Sequence, residues 1–286
     1  METSDILKKV RKIEIKTRGL SKQIFSGQYH SAFKGRGMTF SEVREYQYGD
    51  DIRFIDWNVT ARFGHPYVKI FEEERELTFM LLIDVSASND FGSTVRSKKD
   101  TITEIAATLA FSAIENNDKV GVIFFSSKIE KFIPPKKGRT HILRIIREMV
   151  DFTPQEKGTS ISEALRFFKN VQKRKCTAFL ISDFLDNNYD DALKIVAKEH
   201  DLNAIVINDT LEARIPNVGL VRFYDNETNK TFTIDTGSKY NRDLYANVFE
   251  EHEEYAKKIF LKYGMRNTHI STSEDYVKPL ISLFAK

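Results

Sequence analysis

The chain has 286 residues, enough for one large domain or one domain with a sizeable extension. Its 41% hydrophobic and 30% charged residues exclude a disordered or fibrous chain, and a formal charge of +3 is too small to argue for a nucleic-acid partner. No apolar run approaches the roughly 18 residues that span a bilayer, the charged N-terminus has no signal-peptide core, and the single cysteine, Cys176, reads as a small buried hydrophobe at the start of an apolar run, so a cytoplasmic protein is expected.

The charge excess is local. Residues 1–22 hold seven Lys/Arg against three acids. Ile6, Val10 and Ile13 share one helical face, with Ser4 placed to cap the start and Gly19 the end. This predicts a surface helix docked on its own domain; the alternative is a helix that touches anionic lipid or a partner. Residues 20–75 are rich in Gly, aromatic and charged residues and show no helical period. A flexible linker would be bare of aromatics, so this segment is expected to pack on the core as an N-terminal extension. Within it, Asp50, Asp51 and Asp56 face Arg44, Arg53 and Arg62, which suits Arg–carboxylate forks. Trp57, the only tryptophan, is expected to act as an anchor. The alternative for Arg44, Arg53, Trp57 and Arg62 is a partner-binding surface. Glu72, Glu73, Glu74 and Glu76 read as a solvated edge.

From about residue 76 apolar strand runs alternate with helical patterns. Strands are predicted at 78–85, 120–125, 128–133 (an edge strand meeting Pro134-Pro135), 177–182, 204–207 and 267–271. Helices are predicted at 97–115, 140–150, 160–171, 189–198, 242–263 and from 275. A hairpin at 218–224 and 231–234 turns around Asn226-Glu227. The alternation implies an α/β fold, a mostly parallel sheet flanked by helices. The expected division is residues 1–75, basic helix and extension, and residues 76–286, the α/β domain.

The stretch from Phe79 to Ser88 carries the chemistry. A continuous apolar run ends in Asp84, Ser86 and Ser88. Open α/β sheets bind ligands beyond the carboxyl ends of their strands. Hard oxygen donors there, with no His or Cys beside them, suit Mg²⁺ or Mn²⁺. Two further segments fall at the same end: Gly158-Thr159-Ser160, with the Thr159 hydroxyl, and Leu180-Ile181-Ser182-Asp183, with a second carboxylate.

Asp-x-Ser-x-Ser, then Gly-Thr-x-x-x-x-Ala-Leu, then a strand ending in Ser-Asp resembles the von Willebrand factor A fold, a Rossmann-like α/β domain with a metal-ion-dependent adhesion site. The resemblance implies hydroxyl ligation by Ser86, Ser88 and Thr159, and carboxylates Asp84 and Asp183 acting mainly through bound waters. It further implies an acidic partner residue completing the shell of a Mg²⁺ or Mn²⁺. Many A domains have Gly after the last Asp; this chain has Phe184.

Upstream, Gly35-Arg36-Gly37, Arg44-Glu45-Tyr46, Gly49-Asp50-Asp51-Ile52-Arg53, Ile55-Asp56-Trp57 and Ala61-Arg62 resemble the bacterial domain-of-unknown-function family 58 (DUF58), which joins such a segment to an A-like domain. By that resemblance the partners would be a MoxR-type AAA+ ATPase and membrane-anchored A-domain proteins, and the role would be assembly, maturation or stress tolerance of other proteins.

The expected function is therefore a non-enzymatic protein-interaction module. The rivals are a metal-dependent phosphoesterase or nuclease and a metal-independent scaffold. A haloacid-dehalogenase phosphatase needs a second Asp where Ser86 stands. No P-loop string occurs, and Val85-Ser86-Ala87 lacks the glycines of a hydrolase elbow. The six histidines, His30 among them, show no metal spacing.

Overall fold

The computed structural model describes residue 8 and residues 10–17, 19–20, 39–72, 77–90, 97–225 and 230–284. The expectations for Ser4, Ile6, His30, Gly35-Arg36-Gly37, the side chains of Glu72 to Glu76 and the Asn226-Glu227 turn lie outside this description. The chain divides into two compact units, Phe33–Leu77 and the remainder, Met1–Ala32 with Thr78–Lys286. The N-terminal residues thus group with the sheet domain, where the sequence reading placed them with the extension. The physical reason is packing: Val10, Ile13 and Thr17 of the helical stretch 10–17 are buried. Lys16 pairs with Glu104 and Glu14 with Arg139.

The smaller unit has local order where no element was expected. Strands β1 (Thr39–Glu45) and β2 (Tyr67–Glu72) pair antiparallel, with an irregularity between Phe40 and Glu42. Between them lie a 3-10 turn, Ile52–Phe54, and helix α1 (Trp57–Phe63). Asp51 and Asp56 cap these by accepting from backbone N–H groups. Gly64, at φ 72°, ends α1 in the left-handed conformation.

In the larger unit the order is β3 (Thr78–Asp84), α2 (Lys98–Glu115), β4 (Lys119–Phe125), β5 (Ile129–Lys136), α3 (Arg139–Asp151), α4 (Ile161–Val171), β6 (Thr177–Ser182), α5 (Asp190–Glu199), β7 (Asp201–Asn208), the short α6 (Thr210–Ala213), the hairpin β8 (Leu220–Asp225) and β9 (Lys230–Asp235), α7 (Lys239–Lys262), β10 (Arg266–Ser271) and α8 (Val277–Phe284). The main sheet runs β10-β7-β6-β3-β4-β5, parallel except for the antiparallel edge strand β5. The α/β expectation holds, and the strand bounds differ from it by a few residues. The edge strand runs through Pro134 and Pro135 to Lys136 rather than stopping before them.

Strand β3 is buried on both sides because six consecutive residues, Phe79–Asp84, are withdrawn from solvent. Alternation assigns its faces. Met80 and Leu82 join Leu165 and Phe168 of α4, Leu193 of α5 and Phe260 of α7 in one core. Phe79 stacks on Phe179, which meets Phe284 of α8 on the opposite face.

Candidate functional site

Strand β3 lies between β4 and β6. The chain leaves β3 toward β4 on one side and returns later to build β6, β7 and β10 on the other. The carboxyl ends of β3 and β6 therefore flank the point where strand order reverses, the place open α/β sheets use for ligands. Asp84 ends β3 and Ser182 ends β6.

Asp84, Ser86, Ser88 and Asp183 form a chain of contacts there. Asp84 Oδ1 accepts from Ser86 N at 2.9 Å. The Ser86 and Ser88 hydroxyls are 3.0 Å apart, and Ser88 Oγ donates to Asp183 Oδ2 at 2.9 Å. Ser182, given no role in the sequence reading, donates its hydroxyl to Asp84 Oδ2 at 2.6 Å and accepts from Phe184 N at 3.1 Å. A 3-10 turn, Ala87–Asp90, follows Ser86 and contains Ser88. Ala87 N donates to Lys157 O at 3.0 Å, which fastens the 157–160 loop beside the cluster. Ser160 then caps α4 by accepting from Glu163 N. Thr159 is on this loop and half-buried, but its hydroxyl makes no hydrogen bond to the other four.

Phe184 takes φ 59°, the left-handed region a glycine adopts freely and other side chains resist. Its ring offsets that strain. It is buried and meets Phe260 edge-on at 5.0 Å and Tyr189 at 6.1 Å.

Lys98 is the residue sequence reasoning missed. It is 0% exposed. Its ammonium donates to Asp183 Oδ2 at 2.8 Å and to Glu212 Oε1 at 2.7 Å. The signal was present: Lys98, Ile102, Ile105 and Leu109 recur at helical spacing on the inner face of α2. Glu212 belongs to the capping box of α6 with Asp209, and Asp209 Oδ2 accepts from Thr272 Oγ1 at 2.6 Å. A continuous polar network thus joins the carboxyl ends of β3, β6, β7 and β10.

The charges follow from this arrangement. Burial, then the neighbouring Asp183 charge, pushes the Asp84 carboxyl up to about 7. Burial also pushes Asp183 upward, but the Lys98 ammonium, the Leu185 N–H and the Ser88 hydroxyl together hold it below the usual carboxylate range. Glu212 ends above its usual value because burial outweighs the same ammonium. Lys98 thus stands between two carboxyls at nearly equal distance.

Among the described residues no group of three or more His, Cys, Asp and Glu is placed to hold a metal ion. A cation here would draw on hydroxyls as well as carboxylates, the hard-oxygen chemistry that suits Mg²⁺ or Mn²⁺. Asp84, held toward its neutral form, is a carboxyl that a nearby cation favours as carboxylate. The residues fit. A cavity of about 30 Å³ opens beside Asp84 and Ser86, walled by Ile102, Phe124 and Met149. Asn89, also on its wall, leaves Oδ1 buried without a hydrogen bond among the described residues.

The family described as "Protein of unknown function DUF58" matches residues 42–255. The chain belongs to this family. Uncharacterized protein Rv1480 of Mycobacterium tuberculosis is 28% identical over 282 residues, covering 96% of this chain and 88% of that protein. Uncharacterized protein YeaD of Bacillus subtilis is 25% identical over 122 residues, 43% of this chain and 27% of that protein. Among solved structures, an aerotolerance-related membrane protein from Bacteroides fragilis aligns over 73% of this chain and 98% of its own, with TM-score 0.49 and 14% identity. The hypothetical protein BatB from Bacteroides thetaiotaomicron aligns over 73% and 97%, with TM-score 0.48 and 15% identity.

In the smaller unit of this DUF58 chain, two of the expected forks form. Arg44 grips Asp50 through both terminal nitrogens at 2.8 Å. Arg53 grips Asp51, whose carboxyl this pairing lowers to about 2. Asp56 pairs with Lys69 at 3.5 Å rather than with Arg62. Trp57 is no buried anchor: at the first position of α1, directly after the Asp56 cap, it is 71% exposed. Tyr48, Ile52 and Phe63 of the same unit are also exposed. Elsewhere Cys176 is buried as expected, and burial followed by the Asp201 charge pushes its thiol up to about 12. No helix among the described residues is long and apolar enough to cross a membrane.

Proposed function

We propose that this DUF58 protein is a non-enzymatic interaction module of von Willebrand A type, whose site at the β3–β6 seam holds a divalent cation and receives an acidic residue of a partner protein. The observation that carries it is the unbroken contact chain Asp84–Ser86–Ser88–Asp183 at the point where strand order reverses. Ser86 and Ser88 would offer hydroxyl oxygens, Asp84 and Asp183 carboxylates, and Thr159 a further hydroxyl from the adjoining loop. A bound Mg²⁺ would supply a coordination position open to an incoming carboxylate. Around it the chain fixes orientation: Ser182 holds the Asp84 carboxylate, and Ser88 and the Leu185 N–H hold Asp183. The family resemblance suggests a MoxR-type AAA+ ATPase as partner, a role in assembly or stress tolerance of other proteins, and action in the cytoplasm. The exposed Trp57, with Arg44, Arg53 and Arg62, forms a second proposed contact surface.

Calorimetric titration of Mg²⁺ or Mn²⁺ into the wild type and Asp84→Ala tests the reading. Binding by the wild type that disappears in the variant is expected; an equal response in both ends the metal claim. Capture of the ATPase that is lost in EDTA is expected for the partner claim. Capture indifferent to EDTA would favour the second reading, a metal-independent scaffold, for which the buried Lys98–Asp183 pair is the favouring observation.

A further inference from the structure

Lys98 lies at the inner edge of the proposed metal site, and nothing in the acidic-partner reading uses it. A buried ammonium is costly unless paired and hydrogen-bonded, and this one is paired twice. The geometry of the first pair is specific. The Asp183 oxygen that receives the Lys98 ammonium, Oδ2, is the same oxygen that receives the Ser88 hydroxyl. That oxygen belongs to the cluster and already faces a positive charge. The second acceptor, Glu212 Oε1, belongs to α6 and is not one of the four cluster residues. Its carboxylate is held in place because Oε2 accepts from Asp209 N at 3.0 Å. Lys98 therefore keeps a second, fixed acceptor when its contact with Asp183 weakens, so the ammonium is never left uncompensated.

Resting on the metal-site reading, we propose that Lys98 is a built-in competitor for the divalent cation, the residue that sets the metal affinity of the Asp84–Ser86–Ser88–Asp183 cluster and keeps binding reversible. Two cations drawing on one carboxylate repel, and in a buried site the repulsion is only weakly screened. Each gain in metal contact at Asp183 loosens the ammonium toward Glu212, and each return of the ammonium loosens the metal. The same arrangement ensures that Asp183 always has a counter-charge, so the fold does not depend on metal. Lys98 is on this reading a positioning residue and not a ligand.

The test is Mn²⁺ titration of the full chain, followed by electron paramagnetic resonance, for wild type, Lys98→Gln, Lys98→Arg and Asp84→Ala. Lys98→Gln retains a hydrogen-bond donor without the charge and is expected to bind about tenfold tighter or more; Lys98→Arg retains the charge and is expected to match the wild type. A purely structural lysine predicts weaker binding in Lys98→Gln, so the direction decides. Equal or weaker binding in folded Lys98→Gln, with binding lost in Asp84→Ala, overturns the role of Lys98 and leaves the metal reading standing. Uptake by neither the wild type nor Lys98→Gln, or uptake that survives Asp84→Ala, overturns the metal reading and this inference with it. Should Lys98→Gln not fold, the wild type alone decides: Mg²⁺ is expected to shift the Lys98 side-chain resonances as it saturates the site, and saturation without a shift overturns the proposal.

Discussion

Ser182 Oγ donates a 2.6 Å hydrogen bond to Asp84 Oδ2 across the seam between two neighbouring parallel strands. Both side chains are withdrawn from solvent. Replacement of Ser182 by Ala removes this donor from a buried carboxyl and the acceptor from Phe184 N. Unmet buried polar groups cost about 1–3 kcal/mol each. Ser182→Ala is therefore expected to lose about 2–4 kcal/mol of unfolding free energy by denaturant titration. A loss under about 0.5 kcal/mol would show that the seam does not depend on this bond.

Phe184 combines backbone strain with a buried ring, and the two terms can be separated. Left-handed backbone costs a non-glycine residue about 1–2 kcal/mol, while truncation of a buried Phe costs about 3–5 kcal/mol. Phe184→Ala keeps the strain and loses the ring. Phe184→Gly loses both. Both variants are expected to be destabilised, with Gly more stable than Ala by about 1 kcal/mol, the reverse of the order found at relaxed positions. Thermal unfolding of the pair checks this, and Ala at or above Gly would mean the φ of 59° carries no strain.

Gly121 sits inside β4 where a Cβ would lie 2.7 Å from Met80 Sδ, 2.9 Å from Pro135 N and 3.1 Å from Ile133 O. Two of those neighbours are backbone of the paired edge strand and cannot swing aside. Gly121→Ala is expected to cost about 1–3 kcal/mol, read from the shift of the denaturant midpoint. A neutral result would mean that β5 moves aside freely.

His200 sets a pH dependence. Its ring is buried against Phe168, with Nδ1 3.5 Å from Cys176 Sγ and Nε2 without a hydrogen bond among the described residues. Burial lowers its pKa below the ordinary value of 6.5; Glu199 opposes this and Lys175 reinforces it. The unfolded chain therefore takes up a proton before the folded one does. Stability is unaffected well above pH 6.5 and falls as pH drops below it. The stability difference between wild type and His200→Gln is expected to move against the wild type between pH 7.5 and about 5.5. A difference constant over that window would show that the ring titrates normally in the folded state.

The sheet was legible because its strands are either fully buried, as in Phe79–Asp84 and Thr177–Ser182, or bounded by turn residues. Asp84, Ser86, Ser88 and Asp183 were legible because polar side chains interrupt apolar runs at strand ends. Lys98 was overlooked although its spacing against Ile102 and Ile105 placed it on an inner face; charged residues near a helix start normally read as solvated. Ser182 was overlooked because a serine beside an aspartate looks like a cap. The β1–β2 pair was hidden for another reason: its pairing is non-local and its strands lack clean alternation. Trp57 misled because aromatic size predicts burial, whereas the Asp56 cap fixes this one at an exposed helix start.

Pro134 and Pro135 occupy the outermost strand, and neither has an N–H to offer. That stretch of the margin is therefore short of backbone donors, which makes pairing with a visiting strand less favourable. Two consecutive prolines thus guard this border of the sheet against edge-to-edge association.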